Sequence, residues 1–238
     1  QLGIGNYASL ELLNASVYNG VGGLVLGQLP YPQLKWETKE MFNAGFDFSV
    51  LDNRIRGTVD YYNNKTVDLF LDKQLSRTSG FASITANLGK LQNEGIEASI
   101  NAEIIRGKDF HWSVNANYTY NKNKILDQAG QDENIDGLFI NKVGERANSL
   151  YVVRYAGVDP ANGDALYYKK DGKTTTNIYD PSDAVIVGTI DPPQYGGFGT
   201  NINWKGIALE ALFTYTLGGV IYNNDRFNVE FPGYWYSR

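Results

Sequence analysis

The sequence predicts an all-β fold, an antiparallel segment of a transmembrane β-barrel, on three observations. Several segments alternate apolar and polar residues. In 42–50, Phe42, Ala44, Phe46, Phe48 and Val50 are apolar, with Asn43, Gly45, Asp47 and Ser49 between them. Successive strand side chains point to opposite faces, so each such segment has one greasy and one wet face. The connections between segments alternate between very short and very long, which sorts turns to one rim and loops to the other, as in membrane barrels. Finally, the polar faces carry Arg56, Asp60, Glu97, Asn101 and Glu103. These are costly in a dry core and comfortable against a wet lumen.

Residues 1–38 read as irregular, with a short strand around Tyr7–Leu13, a Gly-rich stretch at 19–27, then Pro30 and Pro32. A strand follows over about 39–51. Asp52-Asn53 predicts a two-residue hairpin turn, because Asn and Asp tolerate positive φ. The next strand, about 54–64, sets Ile55, Gly57, Val59 and Tyr61 against Arg56, Thr58, Asp60 and Tyr62. Residues 65–90 read as a long polar loop. The strand over about 91–105 sets Ile96, Ala98, Ile100, Ala102 and Ile104 against Glu97, Ser99, Asn101 and Glu103. After a turn at 106–109, the strand over 110–122 sets Phe110, Trp112, Val114, Ala116, Tyr118 and Tyr120 against His111, Ser113, Asn115, Asn117 and Thr119. Residues 123–193 show no sustained alternation and read as a second long loop. Two strands, 195–204 and 207–217, follow around a tight Lys205-Gly206 turn. Trp112, Tyr118, Tyr120 and Trp204 lie toward strand ends, where an interfacial aromatic belt would sit.

Composition narrows the function. The 238 residues include 26 Gly, 17 Tyr and 11 Phe but 7 Pro, a strand-and-turn composition. No run approaches the roughly 20 apolar residues of a spanning helix. With no cysteine, disulfides, thiolate metal sites and Cys nucleophiles are excluded. Net charge is -5 and no Lys/Arg stripe stands out, so nucleic acid is not an expected partner. His111 is the single histidine, which leaves no His-rich metal site, and it reads as a lumen-facing polar residue near a turn rather than a triad member. Glu97 and Glu103 share a strand face but stand roughly 20 Å apart at about 3.3 Å per residue, too far for a glycosidase carboxylate pair. Asp159-Pro160-Ala161-Asn162-Gly163-Asp164 offers oxygen donors at a turn but lacks the further ligands of a calcium loop. It reads as a polar turn built on Pro160 and Gly163. The expectation is a protein that is not an enzyme and needs no cofactor.

Four strings carry a resemblance. Leu34-Lys35-Trp36-Glu37, followed by Asn43, Gly45 and Asp47, resembles the strand entry of SusC/RagA-type TonB-dependent outer-membrane transporters. Asn87-x-Gly89-x3-Asn93-x-Gly95-x-Glu97 is similar to that family's N-x-G-x3-N-x-G-x-E string. Gly157-Val158-Asp159-Pro160-Ala161-Asn162-Gly163-Asp164 resembles its G-x-D-P-x-T-G-D loop, with Asn162 where the family has Thr. Pro193-x-Tyr195-Gly196-Gly197 resembles its P-x-Y-x-G-G string, slightly compressed. The four occur in family order across most of 34–222.

The resemblance implies a large plugged barrel of the roughly 22-stranded type. Residues 1–238 are then one partial barrel domain, expected to be a C-terminal-half piece of a longer protein. A plug, a TonB box and the final strands are not found in it, and it is not expected to fold alone, because unpaired edges are excluded from lipid. By the same resemblance, the protein sits in the outer membrane of a Gram-negative bacterium. It works with a SusD-like surface lipoprotein and, through the plug, with the TonB complex, and imports an oligosaccharide or oligopeptide.

The stretch 123–193 is the richest candidate for recognition. Long loops tend to carry function, and this one holds Tyr151, Arg154, Tyr155 and Tyr179, with Tyr167, Tyr168 and many carboxylates. The alternative is a rim loop that covers the mouth or meets a partner. For the whole chain, the competing fold is a soluble or surface-displayed β-sandwich that binds carbohydrate. It requires a second sheet over Phe42, Phe46, Phe48, Ile96 and Ile100, where a barrel requires outer-membrane lipid.

Overall fold

The structure, a computed structural model, describes residues 9–230. β1 (Leu12–Tyr18) and β2 (Val21–Gln28) form a hairpin around Asn19-Gly20, whose φ values are 51° and 78°. Positive φ at both central residues is the turn that matches strand twist, and Asn-Gly is its strongest signal. The irregular reading of 1–38 is thereby corrected, because the Gly-rich composition obscured a hairpin. Of the strand expected around Tyr7–Leu13, Leu12 and Leu13 belong to β1, and Tyr7 lies outside the described residues.

β3 (Thr38–Val50) and β4 (Ile55–Gln74) pair from Val50–Ile55 upward, so their turn has four residues, 51–54, rather than two. Leu51, Asp52 and Asn53 all take left-handed φ, and the Arg54 N–H closes onto the Leu51 carbonyl at 3.1 Å. β4 then pairs with β5 (Ser83–Arg106) as far as Gln74–Ser83, through irregularities near Leu69. The predicted loop over 65–90 is therefore mostly paired strand, and the connection itself is 75–82. Period-2 contrast fades there because the ladder has left the band where one face is greasy.

β6 (Phe110–Gln128) continues past the predicted strand end, and 129–193 is not structureless either. β7 (Glu133–Asp136), β8 (Phe139–Lys142) and β9 (Ser149–Val152) are followed by β10 (Tyr155–Val158), β11 (Ala165–Tyr168), β12 (Thr175–Thr176) and β13 (Val185–Thr189). They form a four-stranded sheet, β13-β9-β8-β7, and a three-stranded one, β10-β11-β12. Strands of two to five residues are too short to show a period. β14 (Gln194–Trp204) and β15 (Ile207–Leu217) close on Lys205-Gly206 with φ of 46° and 89°, the tight turn the sequence predicts. A short helix, α1 (Asn224–Glu230), follows.

The main sheet runs β15-β14-β6-β5-β4-β3, an antiparallel meander in chain order. Turns 51–54, 107–109 and 205–206 share one rim, and the long connections share the other. Register aligns the apolar positions, as in the row Phe48, Gly57, Ile100, Ala116, Phe198 and Phe213. This face is bare. Phe46 is 67% exposed, and Phe42, Ile96 and Ile100 are exposed as well. Among the described residues no second sheet covers it, which is what the sandwich would need. From Phe110 to Tyr120 the band spans roughly 33 Å of strand, or about 25 Å of height at the tilt near 40° that strands take in such barrels, which matches the height of their apolar band. Within it the Trp112 indole N–H is satisfied by Thr200 Oγ1 at 2.8 Å.

The small buried core lies beyond this band. Ile125 of β6, Ile140, Leu150 and Ala184 are buried there, and so are Ser149, paired with Ile140, and Thr189, paired with Ser149. Up to Tyr120, β6 pairs with β14. At Asn121 it changes partner. The Asn121 N–H donates to the Pro193 carbonyl at 2.8 Å, and Pro192 and Pro193 have no N–H to carry that ladder further. Beyond this point the segment 141–147 lies along β6. Ile125 N–H donates to Glu145 O at 2.9 Å, Gly144 N–H donates to Ile125 O at 2.8 Å, and Gln128 Nε2 donates to Asn141 O at 2.9 Å.

Candidate functional site: the polar face and the outer loop module

The second face of the main sheet gathers the polar positions. One row runs Asn43, Tyr62, Gly95, Asn121 and the next Gly45, Asp60, Glu97, Thr119, Tyr195. A hollow of about 340 Å³ near the loop rim is lined by Asn43, Asp60, Tyr61, Tyr62, Asn64 and Glu97. Another, of about 330 Å³ near the turn rim, includes Arg54, Arg56, Asn101, Glu103, His111 and Asn201. The Arg106 guanidinium donates to Glu103 there. These surfaces suit a hydrated passage. His111 is one polar group among several, and Glu97 and Glu103 stand in different hollows.

Gly95 shows why the family string needs a glycine. A Cβ there would stand 2.5 Å from Tyr62 Oη and closer still to the Tyr120 carbonyl. The vacant slot lets Tyr62 cross β5 and donate to Asn121 Oδ1 on β6 at 2.9 Å. Asn87 ties two of the strings together. Its Nδ2 donates to the carbonyls of Lys35 (2.7 Å) and Asp68 (2.8 Å), and its Oδ1 accepts the Lys35 N–H at 2.8 Å. Lys35 Nζ pairs with Asp68 at 2.7 Å, and Glu37 accepts the Phe70 N–H. The Leu34–Glu37 string is thus clasped to the outer part of β4 and β5.

The predicted loop residues do not form one cluster. Tyr155 on β10 meets the Tyr167 ring edge-on at 6.2 Å, and Tyr167 meets Tyr179 at 5.4 Å. The outer two are each 59% exposed. Val158, paired with Ala165, lies on the same face of the three-stranded sheet. Arg154 belongs to the opposite face, its guanidinium 5.3 Å over the Tyr168 ring. Tyr151 stands apart, paired with Ile186 in the other sheet. Sequence reasoning named Tyr62 and Asn87 without their joining role, and passed over Asn121 and Arg146, which complete the joins.

Turns fix this outlying sheet. Asp171 accepts from Thr174 Oγ1 and from the backbone N–H groups of Lys173 and Thr174, and these bonds hold its carboxyl down at about 2. Hydrogen bonding to Lys142 lowers the Glu133 carboxyl below its usual range. In the 159–164 turn, Asp159 Oδ1 accepts the Ala161 N–H and Asp164 Oδ2 accepts the Asn162 and Asn177 amides. Those carboxylate oxygens are engaged within the turn and its neighbour. Among the described residues no group of three His, Asp or Glu is arranged to hold a metal ion.

A family model described as TonB dependent receptor-like, beta-barrel matches residues 5–237. TonB-dependent receptor P3 of Formosa agariphila is 33% identical over 88% of this chain and 24% of its own length. TonB-dependent receptor SusC of Bacteroides thetaiotaomicron is 35% identical over 69% of this chain and 19% of its own. Among solved structures, the RagAB peptide transporter matches with a TM-score of 0.86, 32% identity, and coverage of 95% of this chain and 26% of that one. The RagAB peptide importer in the open-open state matches with a TM-score of 0.88 at the same identity and coverage. The chain spans about a quarter or less of the length of the curated relatives it matches.

Proposed function

The chain belongs to the TonB-dependent receptor-like β-barrel family, and on that premise we propose that the whole protein is an importer in the outer membrane of a Gram-negative bacterium. Residues 1–238 contribute part of its barrel domain: a stretch of wall, the lumen face and an outer loop module. The observation that carries this reading is the six-stranded sheet with one bare apolar face about as tall as a bilayer core and one polar face hollowed for water. Uptake is driven through TonB, with a SusD-like lipoprotein at the mouth. The role is transport, with no covalent chemistry.

The cargo is an oligosaccharide or an oligopeptide, and the similarity to a peptide importer favours the peptide. Its contact, or the lipoprotein's, on this segment is the Tyr155–Tyr167–Tyr179 face. Rigid, exposed aromatic rings offer large contact area at low entropic cost. Arg154 and Tyr151 lie off that face.

The test uses cells that rely on the full-length protein and a fluorescently labelled oligopeptide mixture, with a labelled oligosaccharide mixture in parallel. Accumulation of one mixture should require TonB and fall in the Tyr155→Ala/Tyr179→Ala double variant, with the amount of protein in the membrane unchanged. Uptake indifferent to TonB removal would sink the importer reading. Uptake indifferent to the double variant would remove the tyrosine face from it.

A further inference from the structure

The loop module, residues 129–193 with their two small sheets, is bonded to the wall at several points along β6, and at one of them the same residue also touches the lumen face. Asn121 engages three groups at once. Its N–H donates to Pro193 O at 2.8 Å, where the chain returns from the module into β14. Its carbonyl accepts from Arg146 Nη2 at 3.2 Å. Its side-chain Oδ1 accepts from Tyr62 Oη at 2.9 Å, across the slot left by Gly95.

Each partner is itself anchored. The Arg146 carbonyl accepts from Ser149 Oγ at 2.9 Å, and Ser149 is 2% exposed inside the module's core. Tyr62 lines the hollow that holds Asp60 and Glu97. A continuous chain of hydrogen bonds therefore runs from the module's buried Ser149, through Arg146 and Asn121, to a tyrosine on the lumen wall. Tyr62, Asn121 and Arg146 are half-buried and Ser149 is buried, where such bonds are stronger than in open water.

We propose that Tyr62, Asn121 and Arg146 are positioning residues that seat the outer loop module on the barrel wall and tie its placement to the lumen face. Tyr62 does this through Asn121 alone. No direct hydrogen bond to the module is needed for the lumen side to bias where the module sits. The neighbouring bonds at Ile125 and Gln128 hold the module along β6, and the Asn121 junction fixes its angle where β14 leaves. The proposal requires only that the face bearing Tyr62 is the interior one, and it stands whatever the cargo is.

Paired spin labels in the full-length protein, reconstituted in vesicles, test it. This segment is free of cysteine, so Lys65→Cys on the wall and Lys173→Cys on the outlying sheet can carry them, once thiols elsewhere in the protein are replaced. A reference pair at Asp52→Cys and Lys108→Cys reports the turn rim. Tyr62→Phe and Arg146→Ala should each turn a narrow wall-to-module distance peak into a broad one and leave the reference pair narrow. Combined, they should broaden it no further than either alone, and Arg146→Lys should restore part of the narrow peak. A peak that stays narrow in Arg146→Ala overturns the seat. Broadening in Arg146→Ala with Tyr62→Phe silent overturns the tie to the lumen face. Broadening of the reference pair as well would mean that the variants loosen the whole wall, and would also overturn it.

Discussion

Replacing Ile100 by arginine should cost far more than replacing its neighbour Ser99 by arginine. Ile100 lies in the row with Ala116 and Phe198 on the bare apolar face. Ala116 is four residues from Tyr120 and six from Phe110, so this row sits roughly 10 Å below the loop-side aromatic rim and about 15 Å above the turn side. That is close to the middle of the band. A guanidinium on the lipid face at the midplane costs about 2–4 kcal/mol, or about a 30- to 700-fold shift in the folding equilibrium. Ser99 points to the polar face, two residues after Glu97, which pairs with Asp60. Arginine there keeps water and gains carboxylate neighbours, at the loss of the 2.8 Å contact between Ser99 and Thr58 hydroxyls. The net change should stay within about 1 kcal/mol. Urea titration of the full-length protein in vesicles, followed by tryptophan fluorescence, gives both values. Equal costs, or a larger cost at Ser99, would refute the assignment of faces.

Gly95→Ala should destabilise the same protein by about 1–3 kcal/mol through overpacking, because the new methyl meets the Tyr120 backbone carbonyl as well as the Tyr62 hydroxyl. Gly22→Ala, with open space around it, should be nearly neutral, so similar midpoints for the two would count against the slot. The turn between β11 and β12 should be acid-sensitive. Asp171 titrates at about 2 instead of 3.8, so its stabilising bonds are complete above the unfolded value and are lost as pH falls from about 4 through about 2. Protection of the Lys173 and Thr174 amides, taken relative to the intrinsic exchange rate at each pH, should fall in that window, and the fall should be absent in Asp171→Asn. Protection that persists unchanged at pH 2 would contradict the depressed value.

The wall was legible in the sequence because lipid and water impose opposite demands on alternate residues. Phe46 and Asp47, or Ile100 and Asn101, could be assigned to faces from type alone, and the register places them so. Where both faces are wet, the same chain gives no contrast, and β4 beyond Asn64 and β5 before Leu91 were read as loop for that reason. The outer sheets hid behind strands too short to have a period. For the loop tyrosines, composition named Tyr151, Tyr155, Tyr167, Tyr168 and Tyr179 alike; the meeting of Tyr155 with Tyr167 follows from the β10–β11 register, which depends on a bulge between Tyr155 and Gly157, and Tyr179 joins from beyond β12. Asn121 was invisible as a junction, since its partners Tyr62, Arg146 and Pro193 are distant in sequence.

The exchange of partners along β6 has a consequence for how such proteins can be remodelled. Without residues 141–147, the edge of β6 beyond Asn121 that faces away from β5 would lose its cover around Ile125 and present unpaired N–H and C=O groups, a template for foreign strands. The loop that departs from the wall is thus also its seal. A shortened or exchanged outer loop that leaves out this segment would invite aggregation during assembly, even with every lipid-facing and lumen-facing residue kept. Chimaeras between relatives should therefore be joined outside 141–147, so that β6 travels with its own cover.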